Sequence, residues 1–327
     1  MSSPASLIET TSPRADAAEA PASPDRWPPD LARLRAELDR LDDALHDLLM
    51  RRAGIIAAVA ATKPPGTSGL RPGREAAMIR RLLARHDGVL PPQGIVRIWR
   101  ELLAATTTMQ GPFVIAVCDP SPGAGFVQAA REQFGALTPL RTYGSAAQAL
   151  ADLTAGRAAV AVLPLPSDSE SPRDAWWTAL MRRDPARLHI VGRLPFWTRR
   201  AEGAPDARAF VLAAVAPDAS GQDRSLIALE LDPAASRARL AAALAASGFA
   251  ADAPGLHGAS PDGAMPGGAI PGGMILRRNA GDPTALALVE VAGFVAEDDP
   301  RLARIEGALR PPVVLGSYAV PIEVAKS

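Results

Sequence analysis

Residues 31–63 read LARLRAELDRLDDALHDLLMRRAGIIAAVAATK, and the apolar residues of this stretch recur every three or four positions. This spacing predicts one long α-helix, with Asp30 as its N-cap and with Pro64 and Pro65 ending it. At 1.5 Å per residue, the helix is about 50 Å long. Because a small domain is narrower than that, the apolar face must pack against another chain or another long helix.

Two further helices follow this stretch. The first is expected from Pro72 to Gly88, because proline is favoured in the first turn of a helix and glycine just after its end. The second is expected from Pro92 to Gln110, with apolar residues again at helical spacing. Residues 30–110 are therefore predicted to form an all-helical domain of one long and two shorter helices.

The pattern changes after Gly111, where short apolar strands alternate with helices. This alternation predicts an α/β domain over residues 111–222. Residues 223–327 show the order β-α-β-β-α-β, which is typical of a small α+β ferredoxin-like domain. Its predicted elements include a strand near Met274 to Arg277 and a helix from Pro300 to Leu309.

Two segments are predicted to lack regular structure. Residues 1–29 are rich in Ala, Pro, Ser and charged residues without periodicity, which is typical of a disordered tail. Residues 264–273 contain the near-repeat AMPGG and AIPGG, which favours a flexible linker over a binding site.

Composition argues against several classes of function. The 327 residues carry 35 basic and 35 acidic side chains, so no long-range field favours nucleic acid or an acidic membrane as a partner. One cysteine, Cys118, excludes a disulfide framework, and four scattered histidines argue against a zinc site. No stretch approaches 18 apolar residues and no signal peptide is evident, so we expect a cytoplasmic protein and Cys118 as a small buried hydrophobe.

The cations of the first helix suggest a site for a small anion. Only two of the 35 basic residues are lysines, Lys63 and Lys326. Arg52 and Lys63 are about three turns apart on one helix face, and their long side chains can lean toward one molecule. Arg35 lies about 26 Å from Arg52 along the axis and cannot reach that molecule in the same chain. An antiparallel pairing of two long helices would bring it there from the partner chain.

Other polar residues extend this set. Thr106 and Gln110 are four positions apart and share one helix face, and Arg74 and Glu75 open the second helix. The set contains many hydrogen-bond donors and one carboxylate, without a nucleophile or a metal motif. It suits a reaction in which a dianion is folded and its developing charge is stabilised. The alternative is a solvated coiled coil whose arginines and polar residues bind nothing.

Three stretches carry a resemblance to a known family. They are LARLRAELDRLDDALHDLLMRRAGIIAAVAATK at residues 31–63, LRPGREAAMIRRL at residues 70–82 and IVRIWRELLAATTTMQ at residues 95–110. Over residues 30–110 the chain resembles the all-helical chorismate mutases. The resemblance implies a Claisen rearrangement of chorismate to prephenate in an intertwined homodimer that uses no cofactor and no metal.

The resemblance also implies roles for individual residues. Lys63 would contact a substrate carboxylate and the ether oxygen, Gln110 the same ether oxygen, and Glu75 the ring hydroxyl. The resemblance implies that the substrate carboxylates are contacted by Arg52, Thr106 and Arg35 of the partner chain. Arg74 would support this end of the substrate. Arg71 stands where some family members have an aspartate, which leaves Glu75 as the only acidic partner of the hydroxyl.

The rest of the chain resembles the bifunctional chorismate mutase/prephenate dehydratases, with a degenerate dehydratase-like domain and an ACT-like domain. Residues 288–322 resemble the end of the ACT domain, with its Gly-Ser-Tyr motif. The Glu-Asn-Ser turn of the dehydratases corresponds to residues 166–168, and the Thr-Arg-Phe motif aligns with residues 207–209, which read Ala-Arg-Ala. The missing threonine favours a mutase without dehydratase activity. A bifunctional enzyme and a noncatalytic sensor or dimeric scaffold are the alternatives.

Overall fold

The computed structural model describes residues 29–64, 68–121, 123, 125–171, 174–182, 187–198, 203–249, 273–278 and 281–322. The chain divides into two units between Ile55 and Ile56. Nearly all of the predicted tail and of the AMPGG–AIPGG segment lies outside the described residues.

The three predicted N-terminal helices are confirmed, but Asp30 is not the N-cap of the first one, because that helix already begins at Pro29. They are α1 (Pro29–Thr62), α2 (Pro72–Ala84) and α3 (Pro92–Thr108), and proline opens both α2 and α3. Helix α2 ends four residues before the predicted Gly88. Beyond Ala84 the amides of Arg85 and His86 bond to carbonyls three residues back, and this tighter turn closes the helix.

Nine strands form one mixed sheet in the order β2-β1-β3-β5-β4-β9-β6-β8-β7. Strands β2, β1 and β3 are parallel to one another, β4 and β9 are also parallel, and every other neighbouring pair is antiparallel. The strands are β1 (Ile115–Cys118), β2 (Leu140–Tyr143), β3 (Val160–Pro164), β4 (His189–Leu194), β5 (Ala209–Ala213), β6 (Asp223–Leu231), β7 (Met274–Arg277), β8 (Ala285–Ala292) and β9 (Val313–Ala319).

Helices cover both faces of the sheet because successive strand residues point to opposite sides. In β1, Ala116 and Cys118 belong to the core that includes α5 (Ala146–Thr154), whereas Ile115 and Val117 belong to the core that includes α4 (Phe126–Phe134). The second half of the sheet packs its own core against α6 (Arg237–Ala246).

Two parts of the sequence prediction need correction. The helix predicted from Pro300 to Leu309 is wrong, because only a 3₁₀ turn at Leu302–Arg304 is present. Gly307, with φ of 85°, breaks the helical path three residues later. Strand β2 was not predicted, since it is a four-residue edge strand whose Arg141 and Thr142 are exposed and which has no apolar alternation.

Strands β4 and β9 join the two halves of the sheet, and a parallel bridge between Trp197 and Ile322 extends this contact beyond the strand ends. Ile190 of β4 pairs with Gly316 of β9. One sheet therefore contains strands from both sides of the domain boundary that the sequence predicts between residues 222 and 223. That boundary stays a prediction. Helices α2 and α3 pack on the ends of the joined strands, where Ala76, Ile79 and Val96 share a core with Phe196 and Ala319.

Gly316 is required at this junction by backbone contact. A Cβ atom on Gly316 would lie 2.1 Å from the carbonyl oxygen of Ile190, and the φ of Gly316 is 141°. We expect Gly316→Ala to lower the midpoint of thermal unfolding by about 5 °C or more, because strain and overlap would both have to be relieved.

Gly144→Ala is the matched control, because a Cβ atom at exposed Gly144 would meet no atom within 4 Å. An equal midpoint in both variants would contradict the assigned role of the Ile190–Gly316 pair.

Candidate active site

Lys63 and Gln110 meet although they are 47 residues apart. Lys63 lies directly after α1, and its Nζ donates to Oε1 of Gln110 at 3.0 Å. Gln110 lies two residues after α3, and its Nε2 donates to the carbonyl of Thr106 at 3.2 Å. A Cβ atom on Gly69 would lie 2.8 Å from the side chain of Gln110, so glycine there leaves room for the amide. The lysine ammonium is therefore held by an amide that is itself oriented.

Thr106 is buried in α3, and its hydroxyl bonds within its own helix. Its Oγ1 donates to the carbonyls of Leu102 and Leu103 at 2.9 and 3.1 Å. Threonine often satisfies its hydroxyl in this way inside helices. Donation to a ligand carboxylate would therefore require the hydroxyl to leave these carbonyls.

Glu75 pairs with a residue that the sequence reasoning missed. Nη1 of Arg100 lies 3.1 Å from Oε2 of Glu75, and the Arg100 side chain is only 5% exposed. The guanidinium also lies over the ring of Phe196, 4.7 Å from its centre. Burial raises the pKa of Glu75, the charge of Arg100 opposes this shift, and Asp218 adds to it. The position of Arg100, four residues after buried Val96, was the signal available in the sequence.

Glu75 also lines a small cavity. The wall of this cavity is polar and apolar in about equal measure. It comes from α3, from α4 and from the segments just before α2 and β1, through Leu70, Leu103, Ala104, Thr107, Phe113, Gln133 and Phe134. The Glu75 carboxylate therefore lies between the helices and the sheet, where the charge of Arg100 opposes the effect of burial on its pKa.

The start of α2 is held by Asp218, which lies in the loop between β5 and β6. The carboxylate of Asp218 accepts from the amides of Gly73 and Arg74 at 2.9 and 3.0 Å. It also accepts from Nε of Arg71 at 3.2 Å. Arg71 thus forms an ion pair with Asp218, while Arg74 is exposed.

Arg35 and Arg52 lie on α1 in the first unit. Arg35 is exposed in the single chain. Arg52 is partly buried, its Nη1 is a buried atom without a hydrogen-bond partner, and burial lowers its pKa. A partly buried guanidinium with an unsatisfied donor is suited to binding an anion.

In the sheet domain, the residues that align with the dehydratase motifs form ion pairs or are buried. Asp168 accepts two hydrogen bonds from Nη2 of Arg237 at 2.7 and 2.8 Å. Ala207 is buried, and Arg208 pairs with Asp206. Cys118 is buried as predicted, and its pKa is raised to about 11 chiefly by burial, which keeps the thiol protonated at neutral pH.

Comparison with known proteins identifies the helical domain. Residues 34–111 match the family model described as "Chorismate mutase type II". The "Bifunctional chorismate mutase/prephenate dehydratase" of Neisseria gonorrhoeae is 33% identical over 101 residues, which are 31% of this chain and 27% of that protein. The chain spans 27 to 40% of the length of the curated relatives that it matches. The chain therefore contains a type II chorismate mutase domain followed by a mixed α/β sheet domain.

Two solved structures are similar to a large part of the chain at low identity. One is described as "GqqA- a novel type of quorum quenching acylases", with 18% identity, a TM-score of 0.42, and coverage of 65% of this chain and 97% of that one. The other is a prephenate dehydratase from Streptococcus mutans, with 13% identity, a TM-score of 0.42, and coverage of 63% and 97%.

The described residues contain no group of three or more His, Cys, Asp or Glu side chains arranged to hold a metal ion. Within that same part of the chain, no helix combines the length and apolarity needed to cross a bilayer.

Arg100→Met should destabilise the protein more at pH 8 than at pH 5. Without Arg100 the partly buried Glu75 carboxylate loses its partner; breaking a fully buried ion pair typically costs about 3–5 kcal/mol, and we expect a loss at or below the lower end of this range. The pKa of Glu75 is already above its ordinary value. The folded state therefore favours the protonated form of Glu75. This contribution to the free energy of unfolding is fully present below the pKa that Glu75 has in the unfolded chain, and it is lost as the pH rises through its pKa in the folded state.

Melting curves at both pH values test this expectation. Arg40→Met is the control, because Arg40 and Glu37 form an exposed pair on α1 and its loss should change the melting temperature little at either pH. Equal destabilisation of Arg100→Met at pH 5 and pH 8 would show that the Glu75 charge is not what Arg100 compensates.

Proposed function

We propose that this protein is a chorismate mutase, which converts chorismate to prephenate by a Claisen rearrangement without a cofactor. The observation that carries the proposal is the Lys63 ammonium held on Gln110 within the domain that matches the chorismate mutase family. The chain matches only 27 to 40% of the length of these relatives, so the activity is proposed from this domain.

The chemistry needs charge stabilisation more than proton transfer. The ether C–O bond breaks while a new C–C bond forms, and negative charge develops on the ether oxygen. An ammonium has three donor hydrogens, so Lys63 can keep its bond to Gln110 and also donate to that oxygen. The second hydrogen of the Gln110 amide can do the same while the first bonds to Thr106. Both interactions strengthen as the charge grows, which accelerates the reaction.

The remaining residues are proposed to bind the substrate. Oε2 of Glu75 accepts from Arg100, so Oε1 is the atom that we assign to the ring hydroxyl. The substrate carboxylates are assigned to Arg52, Thr106 and Arg35 of the partner chain, with Arg74 in support. Folding a flexible dianion into the reactive conformation accounts for part of the acceleration.

The partner chain is proposed to pack along α1. Leucines recur along this helix and are half exposed or more in the single chain, namely Leu34, Leu38, Leu41, Leu45 and Leu48. A soluble protein rarely leaves such a continuous apolar face uncovered. An antiparallel homodimer would cover it and would bring Arg35 to the site of the other chain.

The sheet domain is proposed to be a noncatalytic dehydratase-like portion, residues 111–222, followed by an ACT-like portion, residues 223–327. The strand order β9-β6-β8-β7 and the packing of α6 on these strands support the second assignment. The names of the curated relatives favour bifunctionality, but Ala207 stands where the dehydratase threonine is expected and Asp168 forms an ion pair with Arg237. The protein is also proposed to be cytoplasmic.

Lys63→Ala should lower kcat by about 100-fold or more, the usual effect of removing a donor that stabilises transition-state charge. Steady-state kinetics of chorismate consumption measure this change. Lys326→Ala removes the only other lysine and should leave kcat unchanged. Turnover near that of the wild type in Lys63→Ala would refute the site assignment.

Mixing Arg35→Ala chains with Arg52→Ala chains should restore activity that neither variant has alone. In a mixed dimer one site receives both intact arginines and the other neither. Random refolding makes about half of the dimers mixed, so we expect about one quarter of wild-type activity. If each site took both arginines from one chain, the mixture would stay inactive.

A further inference from the structure

The structure assigns a role in the mutase site to Asp218, a residue of the sheet domain. We propose that Asp218 is a positioning residue that caps α2 and thereby holds the helical turn carrying Arg74 and Glu75. The inference rests on the proposed function, because Arg74 and Glu75 are the groups positioned.

The cap is supplied from a distance because the local sequence offers none. Arg71 occupies the N-cap position of α2, and its side chain makes no capping hydrogen bond. The first amides of a helix have no partner within the helix, and a carboxylate there is favoured by both hydrogen bonding and the helix dipole. Asp218 fills this position from 144 residues away in sequence, with bonds to the amides of Gly73 and Arg74.

The approach of the loop depends on a glycine in α2. A Cβ atom on Gly73 would lie 2.0 Å from the backbone oxygen of Asp218. Glycine inside a helix is unfavourable compared with alanine, so an explanation for its presence is needed. The close contact with the loop backbone provides one.

The loop that carries Asp218 is itself fixed to the sheet and to α2. The amide and hydroxyl of Ser220 bond to the carboxylate of Asp223, at the start of β6. The amide of Val320, just after β9, donates to the carbonyl of Gln222 at 2.9 Å. Arg80 of α2 donates to Ser220, Gln222 and Val320, which joins the helix to both strands. Asp218 is therefore held in place by the sheet domain.

This arrangement makes the sheet domain part of the mutase machinery. Arg74 and Glu75 are proposed to bind the substrate rather than the breaking bond, so a displaced α2 turn should weaken substrate and transition state alike. Loss of such uniform binding raises KM and leaves kcat unchanged. A purely structural role would instead lower the amount of active enzyme, which reduces the apparent kcat without changing KM.

The test is steady-state kinetics with chorismate on full-length Asp218→Ala, Asp218→Asn and Asp232→Ala. Asp218→Ala should raise KM by about 5- to 10-fold with kcat within about twofold of the wild type. Asp218→Asn should raise KM less than Asp218→Ala does, because its single amide oxygen can accept from one of the two backbone amides but not from both. Asp232→Ala is the matched control, since that carboxylate accepts from the amide of Ala234 elsewhere in the sheet domain.

An unchanged KM in Asp218→Ala would overturn the proposal. An equal rise in KM for the Ala and Asn variants would also overturn it, because the capping bond that Asn retains would then contribute nothing. If Asp218→Ala does not fold, Gly73→Ala tests the same contact from the helix. It should raise KM although alanine is the better helix former, and an unchanged KM would refute the contact.

Hydrogen exchange separates this proposal from the proposed function. In Asp218→Ala the amides of Gly73, Arg74 and Glu75 should exchange roughly 2- to 30-fold faster, the range expected for a lost cap. Absence of chorismate turnover in the wild type would refute the proposed function and, with it, the role of Asp218 in catalysis. If the wild type converts chorismate but these amides exchange at an unchanged rate in Asp218→Ala, only the proposed cap would be refuted.

Discussion

The parallel junction of β4 with β9, at Ile190 and Gly316, is the constraint on which the continuous sheet depends. It joins β4 to β9 and so makes one sheet from two sets of strands. Phe196, just beyond β4, and Ala319, at the end of β9, then form the surface on which α2 and α3 pack. The same surface buries Arg100, which in turn holds Glu75. A contact between two strands thus positions a carboxylate of the proposed active site.

The helices were predictable because their signals are local. Apolar spacing and prolines in the first turn located α1, α2 and α3 to within a few residues at their starts. The single sheet was not predictable, because the β4–β9 pair depends on a backbone approach between residues 126 positions apart. The edge strand β2 was missed because its central residues Arg141 and Thr142 are exposed and polar, so that it has no apolar run. The helix predicted from Pro300 to Leu309 was wrong because Gly307 limits the helical turn to Leu302–Arg304.

The candidate site, too, was predictable only in part from the sequence. The sequence indicated Lys63 and Gln110 as members of one site, and the structure brings them into a hydrogen bond. Arg100 and Asp218 were not predicted, because their roles arise from contacts with Glu75 and with the start of α2. Residues 30–110 include every residue proposed to touch the substrate, yet a fragment ending there would lack Asp218. A domain that is complete by sequence matching therefore still depends on its neighbour for the geometry of one helix end.

Chorismate consumption by the full-length wild-type protein, followed by its ultraviolet absorbance, tests the central claim most directly. The product is then acidified and, separately, assayed without acid for phenylpyruvate. We predict loss of chorismate without any added cofactor, with phenylpyruvate formed only after acid converts the prephenate. No loss of chorismate would contradict the account and would favour a noncatalytic sensor or scaffold, and enzymatic phenylpyruvate without acid would contradict the assignment of the sheet domain as noncatalytic.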